Sequence, residues 1–279
     1  MTTTTLADRH ALGPLPHGHY RPSGVVRAEW TKLRTVRSTT WSLLLTVVLT
    51  IGIGILTTAV AAARWHQFGA VERFTFDPTA RSLTGLLFGQ LVIGVLGVLV
   101  VSAEYSTGTI RATLAAVPNR PLVLAAKVLV FGLVALVVSE VTSFVAFFVG
   151  QAILKGSTPY ATLGQPGVLR AVIGSGLYLT VLGLFALGLA SIFRHTAGAI
   201  SAFVVILLIL PLILQALPQS VINAVGKFLP ANIGVAMIAT KPSFDEGAPF
   251  PPWVGLGILA AYALGALLIG GWLMVRRDA

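Results

Sequence analysis

Long runs of apolar residues alternate with short polar stretches along the whole sequence. A helix needs about 20 residues to cross roughly 30 Å of hydrocarbon at 1.5 Å per residue. Strands of a membrane barrel are only about 10 residues long and alternate in polarity, so these runs favour helices. The sequence therefore predicts an all-α membrane protein with six transmembrane helices. The six runs are residues 39–63, 82–103, 122–150, 169–193, 197–217 and 253–275.

An amphipathic stretch precedes the first run, at residues 23–38. Its apolar residues recur at helical spacing on one face, and its cations occupy the other. Glu29 stands three residues before Lys32, so the two side chains are expected to pair. The pattern predicts a helix in the membrane interface with its tryptophan inward, although a merely polar flank is the alternative. Five residues are expected to seat this interface helix: Glu29, Trp30, Lys32, Arg34 and Arg37.

The first 22 residues contain a threonine run, three histidines and three prolines, without an apolar period. Such a composition cannot bury enough apolar surface to fold, which predicts a disordered tail. The chain is therefore divided into a tail at 1–22, the interface helix at 23–38 and a membrane domain at 39–279.

The polar connection between the second and third runs has its own helix signals. Glu104 closes the second run, Gly108 interrupts the chain, and Thr109 can cap a short helix that continues to about residue 117. Pro118 and Pro121 then end that helix and begin the third run. The sequence predicts a short helix held parallel to the membrane at this connection.

A second long connection, residues 221–240, is apolar but interrupted by Gly226, Pro230 and Gly234. These breaks make it unsuitable for a full span. They favour short helices that lie in or dip into one leaflet, on the side of the membrane opposite the termini.

Charge supports a membrane protein and gives its orientation. Charged residues are only 10% of the chain, against about 25% in an average soluble domain. Twelve of the 19 basic residues fall on the side that holds both termini, which predicts cytoplasmic termini. These twelve are Arg9, Arg21, Arg27, Lys32, Arg34, Arg37, Arg111, Arg120, Lys127, Arg194, Arg276 and Arg277.

The same composition argues against several other classes of function. The net charge of +10 is spread between apolar runs rather than gathered in a basic stripe, so no nucleic-acid partner is expected. The chain has no cysteine, which excludes disulfides and thiolate metal sites. No metal ligand set and no cofactor site is predicted.

Motifs for catalysis are also missing from the sequence. The only Gly-Lys step, Gly226-Lys227, continues with Phe228 and lacks the remainder of a phosphate-binding loop. Ser175 lies between two glycines, but His195, its potential base, lies in a turn between runs. Close packing of helices through small residues explains those glycines better than a protease does. The chain is not predicted to be an enzyme.

Glu140 is the one acidic residue deep within a predicted span. A charge at the centre of a span costs about 2.5–3.5 kcal/mol on insertion scales, so it normally faces a bundle interior or a wet cavity. Two interpretations stay open. Glu140 binds a cation or proton in a secondary transporter or channel, or it is protonated and hydrogen-bonded to Ser139, to Ser143 or across a helix interface.

Three segments resemble a known family. The pattern E-Y-x-x-G-T-I-R-x-x-L-A-A-x-P-x-R at residues 104–120 resembles the cytoplasmic signature of type-2 (ABC-2) ABC exporter permeases. Residues 28–38, A-E-W-T-K-L-R-T-V-R-S, resemble the interface helix of the actinobacterial branch. Residues 228–234, F-L-P-A-N-I-G, are similar to the outer re-entrant segment of that branch.

The resemblance implies a permease subunit that forms the export pathway in a bacterial plasma membrane. It implies a dimer, with a second permease of the same or another sequence, and two copies of a separate ABC ATPase that binds ATP and magnesium. A third possibility, after the secondary transporter, is an anchor for another protein. The residues that the family resemblance assigns to ATPase coupling are Glu104, Gly108, Thr109, Arg111, Pro118 and Arg120.

Overall fold

A computed structural model describes residues 21–241 and 250–276, and these residues form helices without any strand. Most of the predicted tail, residues 1–20, lies outside the described residues. The α-helices follow one another in this order: α1 Pro22–Thr35, α2 Arg37–Arg64, α3 Ala70–Thr75, α4 Pro78–Leu83, α5 Leu86–Ser106, α6 Thr109–Ala116, α7 Arg120–Leu154, α8 Val168–Phe193, α9 Thr196–Val204, α10 Leu210–Leu214, α11 Gln219–Val225, α12 Pro230–Ile238 and α13 Pro252–Arg276.

Six helical segments in the described ranges are long and apolar enough to cross a membrane, which confirms the predicted fold class. Each contains most of one predicted run. The six segments are Arg37–Gln67, Pro78–Ser106, Arg120–Leu154, Val168–Phe193, Thr196–Leu214 and Pro252–Arg276.

The fourth span, α8, forms the centre of the bundle, where it packs against α5, α7 and α13. In its most apolar stretch 72% of the residues are buried, against 22% in the first and fifth spans. Close approach of α8 and α13 depends on Gly188, where an added Cβ would lie 2.7 Å from the Ala266 Cβ. The spans with little burial turn their apolar faces outward, as expected for helices solvated by lipid.

The fifth span is less regular than its sequence predicts. Between α9 and α10 a π-helical turn runs over Val205–Ile209, and the Leu210 amide donates to the Val205 carbonyl. Pro211 follows immediately and has no amide hydrogen, so the helix adjusts its hydrogen bonding before it. The span ends at Leu214 rather than at residue 217.

The interrupted connection folds into two short helices, as predicted. The segment Gln219–Phe228 and the segment Pro230–Ile238 meet at an angle of 81°. Pro230 stands in the first turn of α12, where its missing amide hydrogen does no harm. This bend is compatible with a broken span or a re-entrant loop.

The boundaries and the buried face of the interface helix differ from the prediction. It ends at Thr35 rather than Ser38, because Val36 is extended, and Arg37 belongs to the next helix. Val25 and Glu29 are its buried residues, whereas Trp30 is 49% exposed. The face that α1 turns toward the bundle is therefore not the predicted one, because charged side chains, described below, hold this helix against α7.

Candidate functional site

Four charged side chains meet where α1, α5 and α7 come together. The Lys127 ammonium donates to Glu29 Oε2 at 2.8 Å and to Glu104 Oε1 at 2.7 Å. The Lys32 ammonium donates to Glu29 Oε1 and to Glu104 Oε1, each at 2.8 Å. We call these four residues the charge cluster. Each lysine contacts both glutamates, so the cluster is neutral and ties three helices together.

The charge cluster is largely removed from solvent. The side chain of Lys127 is only 3% exposed and that of Glu29 only 6%, whereas that of Lys32 is 40% exposed. An isolated buried charge costs several kcal/mol, so such side chains are stable inside a protein only when they are paired. Loss of one member therefore leaves its partners as uncompensated charges.

Two forces act in opposite directions on the protonation of Lys32. Partial burial alone would lower its pKa, but the hydrogen bonds to Glu104 and Glu29 outweigh burial and raise the pKa above 10.5. Lys32 is therefore cationic at neutral pH, as the ion pairs require. The predicted pairing of Glu29 with Lys32 is confirmed.

Local helix geometry explains how Lys127 reaches the cluster. The Asn119 side chain caps α7 by accepting a hydrogen bond from the Leu122 amide at 3.2 Å. Lys127 follows seven residues after the first helical residue, Arg120, two turns into a helix packed against α1. In the sequence analysis Lys127 is counted among the basic residues that indicate topology. That interpretation misses its ion pairs with Glu29 and Glu104. Its position inside the third apolar run was the available clue.

The short helix α6 forms where it was predicted, but its cap differs. Gly108 occupies the cap position with φ +71°, a left-handed conformation that glycine adopts without a steric penalty. Thr109 is the first residue of the helix, so its predicted role as the cap is wrong. Its hydroxyl instead forms a hydrogen bond with the Thr107 hydroxyl at 2.9 Å.

One face of α6 is fixed to the rest of the protein. Ile110 is 3% exposed within the main core, and Leu114 packs against a small apolar cluster that includes Val25 and Val123. Lys32 also approaches the Thr113 hydroxyl at 3.4 Å. Since Val25 and Lys32 lie on α1 and Val123 lies on α7, α6 is connected to the same helices that share the charge cluster.

The other face of α6 is open. Arg111 is exposed, and its side chain forms no hydrogen bond or ion pair within the described parts of the chain. Pro118 is exposed between α6 and α7. The opposite face of α6 is packed against the bundle, so the exposed cation is held in place and can contact a soluble partner.

Arg120 has a different environment from Arg111. Its guanidinium donates to the Met274 carbonyl at 2.7 Å, and Arg194 donates to the Leu273 carbonyl at 2.7 Å. Cations near the last carbonyls of a helix are favourable, and these two stabilise the end of α13. Arg120 therefore lies against the sixth span, whereas the family resemblance assigns it to the ATPase-coupling residues.

The two arginines predicted to seat the interface helix remain at the surface. Arg34 and Arg37 are exposed, and so is the indole of Trp30. Exposed arginines and a tryptophan on a helix that borders the first span are typical of contact with lipid headgroups. Of the five residues predicted to seat this helix, only Glu29 and Lys32 enter the charge cluster.

A comparison with protein families decides the identity. The family model for the ABC-2 family transporter protein matches residues 25–210, about two thirds of the chain. The chain belongs to the ABC-2 transporter family. No curated protein matches it significantly. The match begins in the interface helix and includes the charge cluster and α6.

Membership in the ABC-2 family defines the class of this protein. The chain is a permease component of an ABC transporter, a multi-pass membrane protein that is not itself catalytic. Permeases of this family generally work with an ABC ATPase. This class agrees with Ser175, whose buried hydroxyl donates to the Ala171 carbonyl at 2.6 Å and is not presented as a nucleophile.

Glu140 of the ABC-2 permease lies at the contact between α7 and α8. Its carboxyl carbon lies 2.5 Å from where a Cβ on Gly176 would be, so the small residue leaves room for the acid. The Glu140 carboxyl group forms no hydrogen bond or ion pair among the described residues, and the nearby hydroxyls of Ser139 and Ser143 have no partner there either. The expected hydrogen bonds to these two serines are therefore not formed.

A second polar contact of the ABC-2 permease lies at the opposite end of the bundle. Asp77 caps α4 and also accepts hydrogen bonds from the Thr240 amide at 2.6 Å and the Lys241 amide at 3.1 Å. Arg170 donates to the carbonyls of Met237 and Ala239 at the end of α12. These contacts fix α12 to the second and fourth spans, and no sequence pattern indicates them.

Proposed function

We propose that this chain is the membrane-spanning permease subunit of an ATP-driven exporter in a bacterial plasma membrane, within the actinobacterial branch of its family. Two permease subunits form the translocation pathway, and two copies of a separate ATPase supply the energy. ATP and magnesium bind to the ATPase and not to this chain. The second permease is either identical to this chain or a different sequence.

The observation that carries this proposal is the construction of α6. Its exposed face presents Arg111, whereas its opposite face is fixed by Ile110 and Leu114. An ATPase that binds the exposed face can therefore move the helix as a rigid body. A flexible loop of the same length would absorb the movement instead.

The charge cluster supplies the route by which that movement reaches the spans. Glu104 lies in the last turn of the second span, two residues before its final helical residue, Ser106. Lys127 lies in the third span. Because both are held to Glu29 and Lys32 of α1, displacement of α6 acts on α1, α5 and α7 together. We propose that ATP-driven closure of the ATPase is transmitted to the pathway in this way.

The proposed orientation places α1 and α6 on the cytoplasmic side, where the ATPase must bind. It rests on the excess of basic residues on that side. The exposed Arg27, Arg34 and Arg37 beside the first span also suit the anionic headgroups of a cytoplasmic leaflet. The contacts of Asp77 and Arg170 then face the outside of the cell.

Co-purification from native membranes tests this function. A tagged chain solubilised in mild detergent is expected to bring down an ABC ATPase in stoichiometric amount. Arg111→Ala should weaken the association, whereas Arg64→Ala, an exposed arginine at the other end of the first span, should not. A chain that purifies without an ATPase and moves solute along an ion gradient would contradict the proposal.

A further inference from the structure

Two open cavities of about 260 Å³ each lie at the end of the bundle that holds the Asp77 contacts. They share two lining residues, Phe68 and Arg81, and therefore adjoin each other. The first cavity faces the outer turns of α2, and we call it the apolar cavity. Its remaining lining residues are Leu56, Thr57, Val60 and Ala61.

The depth of Arg81 in the membrane follows from its contact with α2. The Thr57 hydroxyl donates to the Arg81 carbonyl at 2.8 Å, which fixes the backbone of α4 beside Thr57. Thr57 lies 20 residues after Arg37, the first residue of α2, and 20 helical residues rise about 30 Å. The hydrocarbon core is also about 30 Å thick. With Arg37 at one border of the core, Arg81 is held at the opposite border, close to the level of lipid phosphates.

The Arg81 guanidinium is left without an anion by the way in which α12 is held. Arg81 follows Asp77 by four residues, a spacing at which a carboxylate and a guanidinium can pair. Both oxygens of that carboxylate are instead occupied by hydrogen bonds from Ala80, Thr240 and Lys241. Arg81 is exposed, and its side chain forms no hydrogen bond or ion pair with any residue that the structure describes.

Other arginines at this end of the bundle differ from Arg81. The Arg73 guanidinium donates to the carbonyls of Trp65 and His66 at 3.3 and 3.1 Å. Arg170 donates to two carbonyls at the end of α12. Arg64 is exposed but lines neither of the two cavities. Arg81 therefore combines an available guanidinium with an apolar cavity beside it.

We propose that Arg81 and the apolar cavity bind an anionic phospholipid. The guanidinium donates two N–H groups to phosphate oxygens, which is the paired geometry that arginine forms with phosphate. One acyl chain begins in the apolar cavity and continues along the lipid-facing surface of α2, where Leu56 is exposed. In the orientation proposed above, this lipid belongs to the outer leaflet.

The size of the apolar cavity agrees with this occupant. Sites that enclose a whole small molecule commonly have volumes of about 300–1000 Å³. A smaller, open cavity is suited to the upper part of one acyl chain, with the rest of the lipid in the bilayer. Val60 and Leu56 are exposed toward the bilayer, so a lipid can enter sideways without any change in the fold.

Charge favours an anionic headgroup over a zwitterionic one. The connections on this side of the membrane contain seven basic and four acidic residues, so their net charge is positive. The carboxylates of Glu72 and Asp77 line the second cavity and not the apolar cavity. An ammonium in the headgroup would offset the charge that Arg81 attracts, whereas a glycerol headgroup leaves the phosphate charge intact.

Lipid binding is measured on the purified full-length chain without any ATPase, so failure here leaves the proposed permease function untouched. Native mass spectrometry would compare phosphatidylglycerol, phosphatidylethanolamine and a diacylglycerol with a neutral sugar headgroup, added one at a time to delipidated protein. Because hydrogen bonds between two charged groups are at stake, we expect phosphatidylglycerol to bind about tenfold more tightly than the neutral lipid. Phosphatidylethanolamine should bind less tightly than phosphatidylglycerol.

A pair of arginine substitutions locates the headgroup, since the cytoplasmic arginines also attract anionic lipids. Arg81→Gln removes the cation beside the apolar cavity. Arg64→Gln removes an exposed cation at the end of α2 that lines neither cavity. We expect the first variant to lose one bound phosphatidylglycerol and the second to keep it.

A pair of valine substitutions locates the acyl chain while Arg81 is left intact. Val60→Trp would fill the apolar cavity from an exposed position. Val48→Trp adds the same side chain at an exposed position of the same helix, outside both cavities. Only the Val60 variant is expected to bind one phosphatidylglycerol fewer.

Four results would overturn the proposal. Equal binding of phosphatidylglycerol and the neutral lipid to the native chain would refute the contact with phosphate. Tighter binding of phosphatidylethanolamine would show that an acidic residue of the second cavity selects the headgroup. Equal losses in the Arg81 and Arg64 variants would indicate a general effect of charge. Unchanged binding in a folded Val60→Trp variant would place the acyl chain elsewhere.

Discussion

The ammonium of Lys127 lies 2.8 Å from Glu29 Oε2, although the two residues are 98 positions apart in the chain. This ion pair joins the interface helix to the third span, and both side chains are more than nine-tenths buried. Its position next to Glu104 makes it part of the connection between α6 and the membrane domain. The first prediction follows from the removal of its cation.

Replacement of Lys127 by methionine should strongly destabilise the contact of α1 with the bundle. The change keeps the volume of the side chain but leaves Glu29 and Glu104 with one cation fewer. Removal of one partner of a buried ion pair costs about 3–5 kcal/mol. Thermal unfolding in detergent would detect a lowered melting temperature, and limited proteolysis would detect release of α1.

Lys155→Met is the matched control for that substitution. Lys155 is exposed just beyond the other end of the same helix, α7, so its loss should leave the melting temperature nearly unchanged. Equal melting temperatures for the Lys127 and Lys155 variants would show that the charge cluster contributes nothing to stability.

The raised pKa of Lys32 predicts how its contribution depends on pH. A group with a higher pKa in the folded state stabilises the protein fully below its unfolded value of 10.5. That stabilisation is lost as the pH rises through the folded-state pKa. The stability difference between the native chain and Lys32→Met should therefore be constant from pH 7 to pH 9.5 and decrease above 10.5.

Denaturant unfolding at a series of pH values measures that difference. Comparison with the Lys32→Met variant cancels the titration of groups outside the charge cluster, because both proteins share them. A difference that already decreases below pH 9 would contradict the assignment of the ion pairs.

The sequence predicts the spans well because their signal is local and repeated. Each run of about 20 apolar residues identifies a span without knowledge of its neighbours. Gly108, Pro118 and Pro121 likewise identify α6, because they act on their own backbone.

The charge cluster could not be predicted from the same signals. Its members are separated by up to 98 residues, so their meeting depends on how the spans pack. The buried face of α1 was predicted wrongly for the same reason. Glu29 is buried beside Lys127, which belongs to another helix, and the sequence of α1 alone does not reveal that partner. The contacts of Asp77 with Thr240 also depend on tertiary packing.

Glu140→Gln distinguishes the ATP-driven permease from a transporter that uses this acid. Glutamine keeps the size of the side chain next to Gly176 but carries neither a charge nor a dissociable proton. We expect ATP-driven transport to continue in this variant at about the native rate. Loss of transport with normal expression and assembly would favour ion coupling through Glu140.

Asp77→Asn should release α12 from the second span. Asp77 accepts four hydrogen bonds, two at each carboxylate oxygen, from Ala80, Thr240 and Lys241. Asparagine has an NH₂ group in place of one oxygen, so the two hydrogen bonds made at that oxygen are lost. Hydrogen exchange should become faster in residues 230–238. Glu72→Gln is the matched control, because among the described residues the Glu72 carboxylate accepts only a local hydrogen bond, from the Gly69 amide.

Unchanged exchange at residues 230–238 in the Asp77 variant would show that Arg170 alone holds the end of α12. Faster exchange in both variants would indicate a general loosening of this end of the bundle rather than a specific contact.

The absence of native cysteines allows the central claim to be tested directly by crosslinking. A single cysteine introduced by Arg111→Cys would carry a thiol-reactive photocrosslinker in native membranes, with Lys155→Cys as the control at the other end of α7. The account predicts an ATP-sensitive crosslink from position 111 to an ABC ATPase and none from position 155. Crosslinks from neither position, in a chain that still transports its substrate, would contradict coupling through α6.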